Sequence, residues 1–254
     1  MRQSRLLTLI SFSSTIVVPI FLALIALVPH VYVFWSVIVC WMAYYVFVYW
    51  KYHITKNETI LQIMTAVSFV ILLILTEFVW MRWLFVCASA PIFFFIAFWA
   101  EPRIDHGLHI KEKPLRRMMM VLYVFNVYAL LVGLFAAHVF FPFISFLFLA
   151  FFSAVYSAIA SYFIWRLYYR VNKQEIFVWA CIVGIIVYEC MWVLKLLPFG
   201  YLVLGFLLAW LWYVIQLLIR FHLSMQDVVW KKQWRFLLIN AILFFIIMYF
   251  IRWI

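Results

Sequence analysis

Two acidic residues lie within long apolar stretches of the sequence and are the first candidates for chemistry. Residues Glu77–Trp80 read Glu-Phe-Val-Trp and are followed by Arg82, and residues Glu189–Trp192 read Glu-Cys-Met-Trp and are followed by Lys195. A carboxylate near the centre of a membrane costs about 2.5 to 3.5 kcal/mol, so an acid found there is a functional candidate. The chemistry open to it is proton transfer or the binding of a cationic group.

Glu189 is expected to lie deeper in its apolar stretch than Glu77 does. Glu77 stands near the end of its stretch, where water or Arg82 can reach it. Lys195 follows Glu189 by six residues, or about 600° of helix, so their side chains do not share a face. Lys195 is therefore expected to extend toward the headgroups. Glu189 is left to hold a proton or to bond a polar group of another helix.

Three of the side-chain amides inside the apolar stretches are candidates for polar contacts between helices. Asn126 is near the middle of one stretch, and Gln216 and Asn240 are in the inner parts of two others. Such amides typically bond a polar group on a neighbouring helix, and each bond is worth on the order of 0.6 kcal/mol. Helix association is therefore their first expected role, with Asn126 kept as a candidate functional residue.

A small-residue face is predicted along residues 143–165. Ser153, Ser157 and Ser161 recur every four residues, with Ala154 and Ala158 beside them. Small side chains let helix backbones approach closely in lipid, where no hydrophobic driving force joins helices. We expect this face to be an internal helix contact, with a seam between two copies of the chain as the alternative.

Residues of the types that bind metals cluster between positions 101 and 112. They are Glu101, Asp105, His106, His109 and Glu112. Pro102, Gly107 and Pro114 oppose a continuous helix that would bring them to one face, so a solvated loop is predicted. The sequence has no phosphate-binding glycine loop, no His-Glu-x-x-His and no nucleophile elbow. No metal, cofactor or nucleic acid is therefore predicted to bind.

The composition explains why polar residues are scarce. Of 254 residues, 71% are hydrophobic and 11% are charged, whereas soluble domains average about 45 to 50% apolar and about 25% charged. This excess excludes soluble enzyme folds, disulfide scaffolds and disordered binding modules. All four cysteines fall inside apolar stretches and are predicted to be free thiols: Cys40, Cys87, Cys181 and Cys190.

Nine stretches are long enough to cross a bilayer, whose apolar core of roughly 30 Å requires about 20 residues in a helix. They are 6–27, 31–50, 60–80, 83–100, 118–139, 143–165, 176–194, 201–219 and 236–254. None shows the in-and-out alternation of a barrel strand. The predicted fold class is all-α: one polytopic transmembrane helix bundle, 1–254, of about nine spans.

Basic residues predict the orientation of these spans. Sixteen of the 19 Lys and Arg residues fall on the side of the amino terminus, and only Arg82, Lys195 and Arg252 fall on the other. Because basic loops stay in the cytoplasm, the amino terminus is predicted to be cytoplasmic and the carboxyl terminus outside. The same basic clusters predict contact with anionic lipid headgroups at the cytoplasmic face.

The two Glu-x-x-Trp motifs also indicate an internal duplication. They recur in the third and seventh predicted spans, which run in the same direction. Duplicated units 31–139 and 143–254 would preserve that orientation, as in transporters with parallel repeats. The alternative is chance recurrence in a sequence of few residue types.

The carboxyl-terminal third carries a resemblance. Residues 189–200 (Glu-Cys-Met-Trp-Val-Leu-Lys-Leu-Leu-Pro-Phe-Gly), the basic segment 230–235 (Trp-Lys-Lys-Gln-Trp-Arg) and the final Ile-Arg-Trp-Ile are its motifs. With the hydrophobic hairpin between them, they resemble uncharacterised polytopic membrane proteins of reduced-genome candidate-phylum bacteria. The resemblance implies a location in the bacterial inner membrane and implies no catalytic activity.

Three classes of function stay open. A membrane scaffold or assembly partner, which binds another membrane protein or a second copy, needs only packing faces and is the first hypothesis. A transporter of a small apolar or lipid-like solute needs a cavity and usually broken helices, for which Pro19 and Pro91 are the mid-span signals. A lipid-modifying enzyme needs converging acids and bases, and its candidates are Glu77, Arg82, His138, Glu189 and Lys195.

Overall fold

The structure, a computed structural model, describes residues 2–28, 30–52, 56–99, 113–168 and 173–223, with a few positions between 234 and 245. Throughout these ranges the regular elements are α-helices, and no strand occurs. The predicted all-α class is therefore confirmed for the described part of the chain. The predicted span 236–254 falls largely outside it.

Eight helices follow one another along the chain. They are α1 (Arg2–Leu27), α2 (Val31–Tyr52), α3 (Lys56–Leu75), α4 (Val79–Trp99), α5 (Lys113–Phe140), α6 (Phe146–Tyr168), α7 (Lys173–Lys195) and α8 (Tyr201–His222).

Five of these helices contain a segment long and apolar enough to cross a membrane. The segments are Val79–Ala97, Arg117–Phe140, Phe146–Arg166, Gln174–Lys195 and Tyr201–Arg220. Shorter apolar segments occur in α1, α2 and α3, at Ser13–Leu27, Tyr32–Phe47 and Ile60–Leu75. An all-helical chain with these segments has the architecture of a membrane protein.

The turn between α7 and α8 lies where the sequence predicts it. Helix α7 ends at Lys195, and α8 begins at Tyr201, directly after Pro198 and Gly200. The carbonyl of Gly200 accepts the N–H of Val203 at 3.0 Å, which starts the hydrogen bonds of α8. Proline interrupts the helix here because it lacks the N–H that a helical hydrogen bond needs. Glycine does so because it loses more conformational entropy than other residues when it becomes helical.

The turn between α3 and α4 differs from the prediction. The sequence predicts a break at Met81 and Arg82, but the structure places it at residues 76–78. The N–H groups of Met81 and Arg82 both donate to the carbonyl of Phe78 at 3.1 Å, so they belong to the first turn of α4. The Thr76 hydroxyl donates to the carbonyl of Leu72 at 2.6 Å, a local bond that competes with continued helix.

The chain forms two compact units, Met1–Ala129 and Leu130–Ile254, with the division inside α5 rather than at the junction of the proposed repeats 31–139 and 143–254. In the first unit, α1 packs against α2, α3 and α4, and α3 packs against α4. The core between them is built from large side chains. Leu22, Trp41, Phe69 and Phe93 are all buried there.

The second unit is packed through small residues. Helix α6 packs against α7, and α8 packs against both. A Cβ atom placed on Gly184 of α7 would lie 3.0 Å from the carbonyl oxygen of Ala154 and 3.3 Å from the Cβ of Ala158. The backbones of α6 and α7 therefore approach closely because Gly184 has no side chain.

Gly205 allows a still closer approach of α8 to α5. A Cβ atom at Gly205 would lie 2.5 Å from the side chain of Val132 and 2.7 Å from its backbone. Real Cβ atoms do not come this close to a backbone, so only glycine fits at this position in the observed packing.

Candidate functional site

Glu189 lies on an exposed, otherwise apolar stripe of α7, which we call the α7 face. Its members are Val178, Cys181, Ile182, Ile185, Glu189 and Val193, and all six side chains are exposed. Their spacing of three and four residues places them on one side of the helix. The opposite side, with Ala180, Val183 and Val187, is buried.

Of the two roles expected for Glu189, the described residues do not show the bond to a polar group of another helix. Its carboxylate has no hydrogen bond or ion pair with the described residues. The reason is orientation, since the side chain projects from the α7 face rather than toward α6 or α8. Hydropathy alone does not report which way a residue within an apolar helix points.

Lys195 is held by aromatic rings and not by an acid. Its ammonium nitrogen lies 4.3 Å from the centre of the Phe146 ring and 5.6 Å from that of Trp192. The His138 ring contacts the same Phe146 at a tilt of 60°, with centroids 4.9 Å apart. Because rings attract cations through their faces, Lys195 is stabilised at the end of α7 without Glu189.

Glu77 is exposed within the break between α3 and α4, and is not inside a helix. Arg82 is half-buried, and its Nε donates to the backbone carbonyl of Thr76 at 2.7 Å. This bond satisfies a carbonyl just beyond α3 that helical hydrogen bonding leaves open. The Glu77 carboxylate and Arg82 make no ion pair. Arg82 has a structural role instead, because it bonds the Thr76 carbonyl at the end of α3.

Asn126 joins α5 to α3 in the first unit. It is fully buried, and its Nδ2 donates to the hydroxyl of Thr65 at 3.0 Å. The Thr65 hydroxyl in turn donates to the carbonyl of Leu61 at 2.8 Å. The other amide atom of Asn126, Oδ1, is buried without a partner. The hydrogen bond from Asn126 to Thr65 is therefore an interhelical contact.

The three serines of α6 are fully buried in the second unit. Ser161 accepts a hydrogen bond from the indole Nε1 of Trp212 on α8 at 2.9 Å, and its own hydroxyl donates to the carbonyl of Ser157 at 2.8 Å. Ser153 donates to the carbonyl of Ala150 at 2.7 Å. The close approach of α7 to α6 uses Ala154 and Ala158 instead, and of the three serines only Ser161 bonds α8.

Gln216 lies one turn beyond Trp212 on α8 and is fully buried. Neither atom of its amide has a partner, and the Trp165 indole N–H and the Ser157 hydroxyl on α6 are also unpaired. The sequence predicts a hydrogen-bonding role for Gln216, and the described residues show no such bond. Buried polar groups of this kind are commonly satisfied by internal water.

An apolar groove between α2 and α3 is a feature that the sequence does not predict. Its volume is about 290 Å³. Trp41, Tyr45, Ala66 and Val70 form its buried floor, whereas Met42, Val67 and Ile74 are exposed at its rim. Its walls are apolar like the rest of both helices, so hydropathy carries no signal for it.

The other residues predicted to bind ligands either do not gather into a site or lie outside the described residues. The cluster between Glu101 and Glu112 and the amide of Asn240 fall on residues that the structure does not describe. In the ranges it does describe, no three His, Cys, Asp or Glu side chains gather closely enough to hold a metal ion. The four cysteines are free thiols, as the sequence predicts.

No protein-family model, curated protein or solved structure matches this chain. Two surface features of the described residues bear on the function of the protein. These are the α7 face, which contains Glu189, and the groove between α2 and α3.

Proposed function

We propose that this protein is a non-enzymatic membrane scaffold that binds a helix of another membrane protein on its α7 face. The observation that supports this is the exposed carboxylate of Glu189 among the apolar side chains of that face. Exposed apolar side chains by themselves match lipid, because lipid tails are as apolar as leucine. The acid distinguishes the α7 face from an ordinary lipid-facing surface.

The energetics favour a partner with a basic side chain. An ionised carboxylate in lipid is costly, and acids in membrane segments generally pair with a base or face a cavity. Lys195 does not meet this need, since its ammonium group lies over Phe146 and Trp192. A Lys or Arg on a neighbouring transmembrane helix would neutralise Glu189, while the apolar residues of the α7 face pack against that helix.

Site-specific photocrosslinking in native membranes tests this proposal. A photoreactive residue at Ile185, one turn from Glu189, is expected to crosslink to a membrane protein with a basic residue in its span. Truncating one member of a desolvated ion pair costs about 2 to 5 kcal/mol, so Glu189→Leu should reduce the yield at least about tenfold. Glu189→Gln, which keeps the shape but not the charge, should leave the protein folded and reduce the yield too.

Phe151 of α6 provides the matched control, because it is exposed on a helix surface without an acid. A photoreactive residue there should crosslink to lipid alone. The proposal is wrong if the yield from Ile185 is unchanged by Glu189→Leu. A product that contains two copies of this chain would instead identify the occupant as a second copy and contradict a different protein partner.

The proposal includes nine spans in a bacterial inner membrane, with a cytoplasmic amino terminus and an external carboxyl terminus. Support comes from the asymmetry of basic residues and from the resemblance in the carboxyl-terminal third. Anionic headgroups at the cytoplasmic face would then contact the basic loops.

Single cysteines at Lys56, His109, Lys173 and Gln226 of a cysteine-free variant should resist an impermeant thiol reagent in intact cells. Labelling at two of them would overturn this topology.

Transport of an apolar or lipid-like solute is the second candidate, and the groove between α2 and α3 favours it. A lipid-modifying enzyme has less support. Arg82 bonds a backbone carbonyl and Lys195 contacts aromatic rings, so neither base is paired with an acid in the described part of the chain. An experiment that measures solute flux in liposomes separates transport from scaffolding, because a scaffold gives none.

A further inference from the structure

Two turns of the second unit lie side by side, at residues 141–145 and 196–200. The rings of Phe140 and Tyr201, which flank these turns, have centroids 5.7 Å apart. The apolar membrane segments of α5, α6, α7 and α8 all begin or end beside the same two turns. The paired turns, as we call them, therefore lie where the hydrocarbon core of a membrane meets its headgroups.

The surface of the paired turns is apolar. Phe143 and Leu196 are 81% and 82% exposed, and Phe141 is exposed beside them. The paired turns contain no charged residue. Exposed apolar patches mark contacts with a protein or a membrane, and the position of this patch at the ends of four apolar segments favours lipid.

Lys195 places a positive charge beside this apolar surface. Its side chain is exposed, and its ammonium nitrogen lies over the rings of Phe146 and Trp192. Among the described residues, no acid forms an ion pair with it. The rings fix the position of the ammonium group but do not cancel its charge, and its three N–H groups can only donate. An anion is therefore the complementary ligand.

His138 adds a second polar side chain to this end of the second unit. It is half-buried, its ring contacts the same Phe146, and the charge of Lys195 acts on it. Glu189 lies six residues before Lys195, or about 9 Å along α7, and projects from the α7 face. The polar groups beside the paired turns are therefore a cation and an imidazole, and both can donate to an anion.

We propose that Lys195 and His138 bind the phosphate of one membrane phospholipid, whose hydrocarbon chains contact the exposed apolar side chains of the paired turns. A free phosphate ion offers nothing to those side chains, so a phospholipid matches both the charge and the apolar surface. The site is distinct from the predicted contact of headgroups with the basic cytoplasmic loops, because Lys195 is one of the three bases predicted on the other side. It does not depend on the partner proposed for the α7 face.

Photoreactive lipids test the proposal on the full-length protein in uncharged maltoside micelles, where no other phosphate competes. Phosphatidylglycerol is compared with diacylglycerol, which has the same chains and the same diazirine but no phosphate. Mass spectrometry should find more phosphatidylglycerol adducts than diacylglycerol adducts on residues 138–146 and 192–201. Lys195→Met should lower the phosphatidylglycerol labelling about fivefold, the equivalent of about 1 kcal/mol for one base near a membrane surface. His138→Phe should lower it about threefold through loss of one hydrogen bond.

The matched control is Arg166 at the opposite end of α6. It is also an exposed cation over an aromatic ring, with its guanidinium carbon 5.6 Å from the centre of the Tyr162 ring. Arg166→Met should leave the labelling of both segments unchanged, and Lys195→Arg should retain most of it because the charge remains. Diacylglycerol labelling should not respond to any of these variants.

Three results would overturn the proposal. The first is equal labelling of the two segments by both probes in the wild type, a comparison that requires no variant to fold. The second is undiminished phosphatidylglycerol labelling in a Lys195→Met and His138→Phe double variant. The third is suppression of the labelling by glycerol 3-phosphate in molar excess, which would identify a site for a free phosphate instead. Because Glu189→Leu should not alter these values, failure of this site and failure of the scaffold proposal are distinguishable.

Discussion

The two units of this protein keep their helices at different separations. In the second unit, Gly184 and Gly205 bring α7 against α6 and α8 against α5 until no further side chain fits. In the first unit, a core of large residues such as Trp41 and Phe69 leaves a groove between α2 and α3. Small residues let helices associate through backbone contact in lipid, whereas large ones hold them apart and leave space between them.

The units resemble each other in how they use polar side chains. Each contains a buried bond between side chains of different helices, from Asn126 to Thr65 in the first unit and from Trp212 to Ser161 in the second. Each also has buried polar atoms without partners.

The largest effect is expected from Gly205→Ala in the second unit. The new Cβ would collide with the backbone of Val132, which does not move aside as the end of a flexible side chain does. Overpacking of this kind costs about 1 to 3 kcal/mol, which should appear as a lower midpoint of unfolding in detergent. Gly200→Ala is the control, since a Cβ there meets nothing within 4 Å. Equal stability of the two variants would contradict the close packing of α8 against α5.

An intermediate effect is expected from the polar pairs. Double-mutant cycles with Asn126→Leu and Thr65→Val, and with Trp212→Phe and Ser161→Ala, should each give a coupling free energy of roughly 0.6 to 1 kcal/mol. The two values should be similar because both bonds are buried and join two helices. A coupling near zero in one unit would show that its helices are held by packing alone.

The smallest effect is expected from Ala66→Phe in the first unit. Ala66 and Ala180 are each 3% exposed, but only Ala66 lines the groove. A phenyl ring at Ala66 can occupy the groove and should change the free energy of unfolding by less than about 1 kcal/mol, whereas Ala180→Phe should cost about 1 to 3 kcal/mol or more. Similar losses in both variants, measured by the same detergent unfolding assay, would mean that the groove does not accept a side chain.

The Glu-x-x-Trp motifs show how similar sequences acquire different surroundings. Glu189 lies within α7, whereas Glu77 lies in the break that precedes α4. The predicted break at Met81 and Arg82 rested on the charge of Arg82, but that side chain turns back to the Thr76 carbonyl. The duplication of 31–139 and 143–254 stays a prediction, and these two motifs do not share one local structure.

The sequence by itself determined the helical class, the apolar segments and the turn at Pro198 and Gly200. These features follow from hydropathy and local backbone chemistry, which each short segment carries without its neighbours. Only the tertiary structure decided that Glu189 faces outward, that Gly205 meets Val132, and that a groove opens beside Trp41 and Tyr45. In a helix that is apolar on every side, the pattern does not mark an inner face. Which side of each helix is buried, and how far apart two helices lie, therefore depend on the side-chain fit between helices distant in sequence.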